Sequence, residues 1–428
     1  MRSFPGHAGL VCALALGATL LAAPASAQAP VQARSAYSFV DSLGVNIHMA
    51  HNARAGGEFA TNAYNDVAKT EQALTYLGIK YARDFFAANN PDILRKLHSE
   101  TRIKYGIFLG VGWGLDYEAQ MSLIHRNADM LASVEGPNEV DNWPPTFDGL
   151  KGYPASIAQM RRIHADIKGT PASEHLPVYC LTLGDADANR FKLGDLSAYC
   201  DYAVAHPYPV SGKLAYPFIQ HWNNLSLSWA PNLPIVITEG GYSTRPSMTA
   251  SADEASHAKL ELNFLFDVFA QGVSRTYLYE LLDEYEPGYQ NNERSWHYGL
   301  FRYNGTPKPA ATAIRAVVKL LRDKEFAPGA LAYDLRGLPS TAHQVLLQGS
   351  DGTFVLTLWN EPIFDMKSGG VGSLAPVNVQ VNLLKQATRI QVVDPLLGTN
   401  SIRTEMDVRG ITVSVPDHPI LVLIKSTS

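Results

Sequence analysis

Two glutamates close apolar runs at positions where a carboxylate is costly unless something nearby uses it. Glu139 ends Ser133-Val134-Glu135-Gly136-Pro137-Asn138-Glu139, and Glu239 ends Pro234-Ile235-Val236-Ile237-Thr238-Glu239, ahead of Gly240-Gly241. A charge taken out of water costs several kcal/mol unless it is paired. A pair of carboxylates suits the cleavage of an acetal, where one acid protonates the departing oxygen and one carboxylate attacks the carbon. Other apolar runs also end in polar or aromatic residues. Asn46 and His48 follow one run, Arg83 and Asp84 a second, Trp113 a third, His206 and Tyr208 a fourth, and Tyr279, Glu280 and Asp283 a fifth.

The elements that carry these residues follow from the apolar pattern. β-like runs at 39–48, 79–83, 105–110, 131–135, 178–183, 202–206, 235–239 and 276–280 alternate with amphipathic stretches. Most are apolar throughout, as expected of parallel strands buried on both faces. Val67, Thr70, Leu74 and Leu77 recur at helical spacing until Gly78 stops the run; further helical stretches span 154–169, 255–271 and 308–322. Eight βα units in series predict an α/β chain with a closed (β/α)₈ TIM barrel rather than an open doubly wound sheet. No glycine-rich phosphate loop follows the first run. Active sites of such barrels lie at the C-terminal strand ends. Strands four and seven lie on different sides of the mouth, so Glu139 and Glu239 are expected to face each other.

From about residue 328 the runs shorten: 343–348, 353–358, 377–383, 388–393, 411–415 and 420–425. They predict a small C-terminal antiparallel β-sandwich. The expected organisation is therefore a signal peptide at 1–27, a catalytic barrel at 28–325 and the sandwich at 326–428. The signal peptide is read from Arg2, the apolar run 9–22 and Ala25-Ser26-Ala27, which together imply a secreted or periplasmic protein with no membrane span after cleavage. Cys180 and Cys200 then remain, either as a disulfide or as two buried thiols. The net charge of −5, without a long basic run, disfavours nucleic acid as a partner.

The motifs resemble those of the clan A glycoside hydrolases. Asn138-Glu139 matches the clan's strand-four Asn-Glu, Val236-Ile237-Thr238-Glu239 its strand-seven pattern, and His206 with Tyr208 its strand-six pattern. The β-sandwich tail is similar to that of family 39 and its relatives. The resemblance implies a glycosidase acting on a poly- or oligosaccharide by double displacement, with no metal or cofactor. Glu139 would be the acid/base and Glu239 the nucleophile. Asn138 would bind the sugar 2-hydroxyl, and Arg83 and Tyr208 would contact the nucleophile. The clan's strand-eight Trp is missing. Tyr279, or Trp296 folding in from its loop, would floor the sugar site, and Glu280 adds a third carboxylate. His48 and Trp113 complete the expected substrate contacts. Arg83 is expected to favour the charged form of Glu239, and that charge to raise the pKa of Glu139.

Rival readings remain at this level. Glu135 competes with Glu139, whereas Asn360-Glu361 falls in the tail, after all eight strands. The same site could transfer sugars to another sugar. A polysaccharide-binding barrel without catalysis is a second alternative. A metal-dependent hydrolase ranks last, because the strand ends carry no His-x-His pair.

Overall fold

A computed structural model describes residues 29–52, 61–88, 90–110, 115–245, 252–287, 294–365, 370–371 and 374–426. The expected signal peptide and Trp113 lie outside them.

Eight parallel strands form one sheet: β1 (Leu43–Asn46), β2 (Tyr81–Asp84), β3 (Lys104–Phe108), β4 (Leu131–Glu135), β5 (Val178–Tyr179), β6 (Ala203–Ala205), β7 (Ile235–Ile237) and β8 (Arg275–Leu278). β8 pairs with β1, and the order then runs continuously to β5. Between β5 and β6 only one bridge, Tyr179 to Tyr202, closes the ring. That seam carries the Cys180–Cys200 disulfide, which settles the state of the two cysteines. Val45, Val134, Val204 and Val236 are fully buried, as parallel strands covered on both faces require.

Among the described residues, seven long helices wrap the strands: α1 (Val67–Leu77), α2 (Pro91–Thr101), α3 (Tyr117–Arg126), α4 (Tyr153–Gly169), α5 (Ala215–Ser226), α6 (Glu254–Ala270) and α7 (Pro309–Leu321). The punctuation is local. Asp66 accepts from Lys69 N to start α1, and Gly78 ends it in the left-handed region at φ 71°. Residues 36–41, whose last three overlap the run 39–48 expected for the first strand, are a short helix begun by Ser35, whose side chain accepts from Ser38 N. Phe39 and Val40 are buried, so an apolar run of that length suits a helix as well as a strand.

The tail forms β9 (Tyr333–Arg336), β10 (Ala342–Gln348), β11 (Phe354–Asn360), β12 (Val377–Val393), β13 (Ser401–Val415) and β14 (Ile420–Ser426). The runs 377–383 and 388–393 are one strand. Its register with β13 breaks between Asn382 and Ala387; before the break it also pairs with β9, after it with β14. A bulge bends a strand, and here it folds the antiparallel sheet over a core that includes Leu356, Val381, Ile390 and Val422. Residues 31–32 pair with 330–331, and 34–35 with 347–348, so the front of the chain joins this sheet.

The tail packs on α6, which is buried almost all round. Trp359 Nε1 donates to Asp267 Oδ1 at 2.9 Å, and Tyr216 N donates to Glu361 Oε1 at 2.5 Å. Asn360-Glu361 is thus part of this packing. Burial, and then the Glu361 charge, push the Asp267 carboxyl up. The folded state therefore binds that proton more tightly than the unfolded chain, and the stability it contributes is lost as pH rises above the ordinary carboxyl value. Asp267→Asn keeps the acceptor for Trp359 and removes the charge. It is expected to stabilise the protein by ~1–3 kcal/mol at pH 7–8. The gain should shrink toward pH 3 in thermal melts.

Candidate active site

Arg83, at the end of β2, is 2% exposed and organises the rim. Its Nε and Nη2 form a fork on Glu135, each bond 2.8 Å; Nη1 reaches Glu239 Oε1 at 2.7 Å and Asn46 Oδ1 at 3.0 Å; Nη2 also donates to Asn138 Oδ1 at 2.8 Å. Burial alone would lower its pKa, but Glu135 and then Glu239 raise it above the ordinary arginine value. Glu135 is 1% exposed and fully engaged here, so it anchors Arg83 and does not face the mouth.

Glu239 follows β7 and is held from both sides, by Arg83 and by Tyr208, whose hydroxyl donates to Oε2 at 2.7 Å. Burial, and then the Glu239 charge, keep the Tyr208 phenol protonated. Glu139 sits on a sharp turn after β4, at φ 41°, with its N–H donating to Thr182 Oγ1 at 2.8 Å. Its Oε2 accepts from Asn142 Nδ2 at 2.9 Å, and its Oε1 lies 3.1 Å from His206 Nδ1. One carboxylate oxygen of Glu139, one of Glu239 and a ring nitrogen of His206 all lie within 4.8 Å of one another. The carboxylate side chains remain 18% and 12% exposed, so a ligand can reach them.

His206 is fully buried between the two. Thr238 Oγ1 donates to Glu135 at 3.1 Å, so it can only accept from His206 Nε2, 2.9 Å away. That fixes the tautomer and leaves Nδ1 and Glu139 Oε1 to share one proton. Burial would raise the Glu139 pKa, but the hydrogen bond and charge of His206 outweigh it and the net shift is downward. For His206 burial lowers the pKa, but Glu239 and Glu139 together raise it above its ordinary value. The shift is thus opposite to the expected rise for Glu139: the imidazole between the carboxylates lowers it.

Tyr279 lies beside this group in an aromatic cage, with ring centroids 6.2 Å from Tyr208, 5.5 Å from Tyr298 and 5.4 Å from His48. Trp296 stands against Tyr285 at 4.7 Å. Glu280 is 0% exposed and therefore makes no open surface for a ligand. Its Oε2 accepts from Tyr64 at 3.2 Å and lies 3.2 Å from His48 Nε2. Beside it, Glu284 takes His51 Nδ1 at 2.9 Å and Asn62 Nδ2 at 2.7 Å. Burial would raise the Glu284 carboxyl, but His51 and His48 bring it down to about 2. Burial, followed by Glu284, drives Glu280 well up, and burial brings His48 down to about 4. His48, Glu280 and Glu284 could bring three ligand atoms to a cation, as could Glu139, His206 and Glu239, although hydrogen bonds already engage most of these atoms.

No family model matches the chain, and no curated protein does. Solved structures do. A family 39 glycoside hydrolase from the gut symbiont Bacteroides cellulosilyticus WH2 superposes with TM-score 0.61 at 13% identity, over 91% of this chain and 82% of that one. The GH39 enzyme from Xanthomonas axonopodis pv. citri gives 0.56 at 16%, over 94% and 96%. An endo-β1,6-glucanase gives 0.52 at 12%, over 93% of each. The fold is that of the family 39 glycoside hydrolases. At these identities the likeness speaks for the barrel and its β-sandwich tail, and the chemistry rests on the side chains.

Within that fold the structure gathers Asn46, Arg83, Asn138, Glu139, His206, Tyr208 and Glu239 into one network, with His48, Tyr279 and Glu280 adjoining it. Sequence reading missed the supports: Thr182 and Asn142 under Glu139, Thr238 under His206, and Asn62, Tyr64, His51 and Glu284 around Glu280. Thr238 carried a signal, since it immediately precedes Glu239. Asn62 and Tyr64 carried none. Among the described residues, no helix is long and apolar enough to cross a membrane.

Proposed function

We propose that the protein is a retaining glycosidase that cleaves an O-glycosidic bond of a poly- or oligosaccharide by double displacement. The observation that carries this is the approach of Glu139 and Glu239 to within 4.8 Å, with both oxygens of Glu239 held by donors. A retaining pair needs roughly 5 Å; an inverting pair needs more room, for a water. Ionised Glu239 attacks the anomeric carbon as the bond to the leaving oxygen breaks, and Glu139 delivers a proton to that oxygen. Water then replaces Glu239 on the sugar while Glu139 takes the water's proton. Arg83 and Tyr208 orient the nucleophile. Asn138 Nδ2, without a hydrogen-bond partner among the described residues, is the donor for the neighbouring sugar hydroxyl. Tyr279 offers the stacking face. His48 contacts the sugar, and buried Glu280 positions His48. We further propose that the enzyme is exported, on the strength of the 1–27 segment alone.

On this reading His206 and Glu139 share one proton in the free site, and Glu139 delivers it to the leaving oxygen. His206→Asn leaves Glu139, still bonded to Asn142, as the titrating member of the pair, a carboxyl with an ordinary pKa of about 4.3 against about 6.5 for the imidazole it replaces in that role. The alkaline limb of kcat/KM is therefore expected to move to lower pH; an unmoved limb refutes the shared proton. The function itself is tested by screening the purified protein against β-linked aryl glycosides and polysaccharides, beside Glu239→Gln. Cleavage by the wild type alone supports the proposal. Binding of a polysaccharide without any cleavage favours the non-catalytic reading.

A further inference from the structure

Trp143 is 66% exposed, and nothing in the barrel requires an indole there. A single exposed ring is ordinary on its own; what sets Trp143 apart is its place beside Glu139. Its backbone is tightly held. Trp143 N and Asn142 N both donate to Glu139 O, at 2.8 and 2.9 Å, which closes a single turn from the acid/base to the indole. Such an i to i+4 bond brings the two backbones to about 6 Å of each other. The Asp141 carboxylate ties the same turn to the loop after β5, accepting from Gly184 N and Asp185 N at 2.8 Å and from Asn189 Nδ2 at 3.0 Å. Gly184 lets that loop come close: a Cβ there would lie 2.1 Å from Asn142 Nδ2 and 3.2 Å from Glu139 Oε2. After Trp143, Pro144 and Pro145 restrict the backbone, and Gly152 N returns to Pro145 O at 2.8 Å around a tight hairpin, Thr146–Phe147 with Leu150–Lys151. The ring is therefore presented by a fixed loop, one turn away from the group that protonates the leaving oxygen.

We propose that Trp143 is the platform for the first sugar on the leaving-group side, stacking on the ring that carries the departing oxygen. The inference rests on the glycosidase reading above. The position of Glu139 decides the side: the acid faces the leaving group, and Trp143 shares its turn. The ligand is the pyranose face of a saccharide chain, whose apolar C–H surface matches an indole. The enzyme then grips substrate on both sides of the scissile bond, as cleavage within a chain requires.

The test compares leaving groups with and without a ring. Wild type, Trp143→Ala and Trp143→Phe are assayed on β-glucosyl, β-xylosyl, β-galactosyl and β-mannosyl fluorides, which release only fluoride, and on the matching β-linked tetrasaccharides. The expected result is that Trp143→Ala loses about tenfold more kcat/KM on the tetrasaccharide than on the fluoride, as one stacking contact is worth, and that Trp143→Phe recovers most of it. Trp143→Ala should also lose any stimulation of fluoride turnover by added sugar acceptor. Equal losses on both substrates overturn the platform and leave the glycosidase reading standing, as does an indole that instead drives concentration-dependent self-association of the wild type. A wild type inactive on every fluoride and tetrasaccharide defeats the glycosidase reading, and the platform with it.

Discussion

If the proposed double displacement holds, Glu239→Ala is expected to lose turnover by roughly 10⁴-fold or more, because it removes the group that forms the covalent intermediate. Azide should then restore cleavage, entering the space vacated by the carboxylate and giving a glycosyl azide of inverted configuration. Glu139→Ala should behave differently. It is expected to fail on poor leaving groups yet keep part of its activity on activated ones, which need no proton, and any azide adduct should retain configuration. The arrangement behind this difference is visible in the partners: Arg83 and Tyr208 donate to Glu239, whereas Glu139 shares a proton with His206. Proton NMR of the products reads the configuration directly. An inverted azide appearing at Glu139→Ala, and not at Glu239→Ala, would exchange the two roles.

Arg83→Met should damage both fold and chemistry. The guanidinium is the cation between Glu135 and Glu239 and is almost wholly buried. Removing one partner of a buried ion pair costs ~3–5 kcal/mol, since the remaining charge has no compensation. The melting temperature should fall, and kcat/KM should fall further than stability explains, because Glu239 loses its fixed orientation. The double variant Glu135→Gln with Arg83→Met separates the two effects. It removes one stranded carboxylate, so it should recover part of the lost stability and none of the activity. An Arg83→Met variant as stable as wild type would mean that the network does not support the barrel. A double variant that regains activity would mean that Arg83 acts only through Glu135.

The fold was legible where chemistry and periodicity agreed. Val236-Ile237 could only be a buried strand, and the Glu239 that ends it had to meet either a partner or a substrate. Gly78 marked a helix end because its left-handed backbone is costly for other residues. The first run, 39–48, holds the strand 43–46, but its first three residues belong to a helix, because a short apolar stretch has no period of its own. In the site, the strand-end residues were readable and their supports were not. Glu135 looked like a rival to Glu139 because sequence shows where a carboxylate falls along the chain, and not which way the strand turns it. Thr182 and Asn62 reach the rim from loops, where spacing says nothing about direction. Most misleading was the proton. Charge-counting placed one negative group beside another, and the imidazole between them became apparent only in three dimensions.

The pairing of residues 31–35 with strands near the other end of the chain has a consequence for biosynthesis. A ribosome releases the barrel residues long before it makes 342–348, so this edge of the sheet stays open until synthesis is nearly over. Contacts this distant in sequence slow the final step of folding. The same topology means that a truncation near residue 326, meant to liberate the barrel, would leave an unpaired strand at its front.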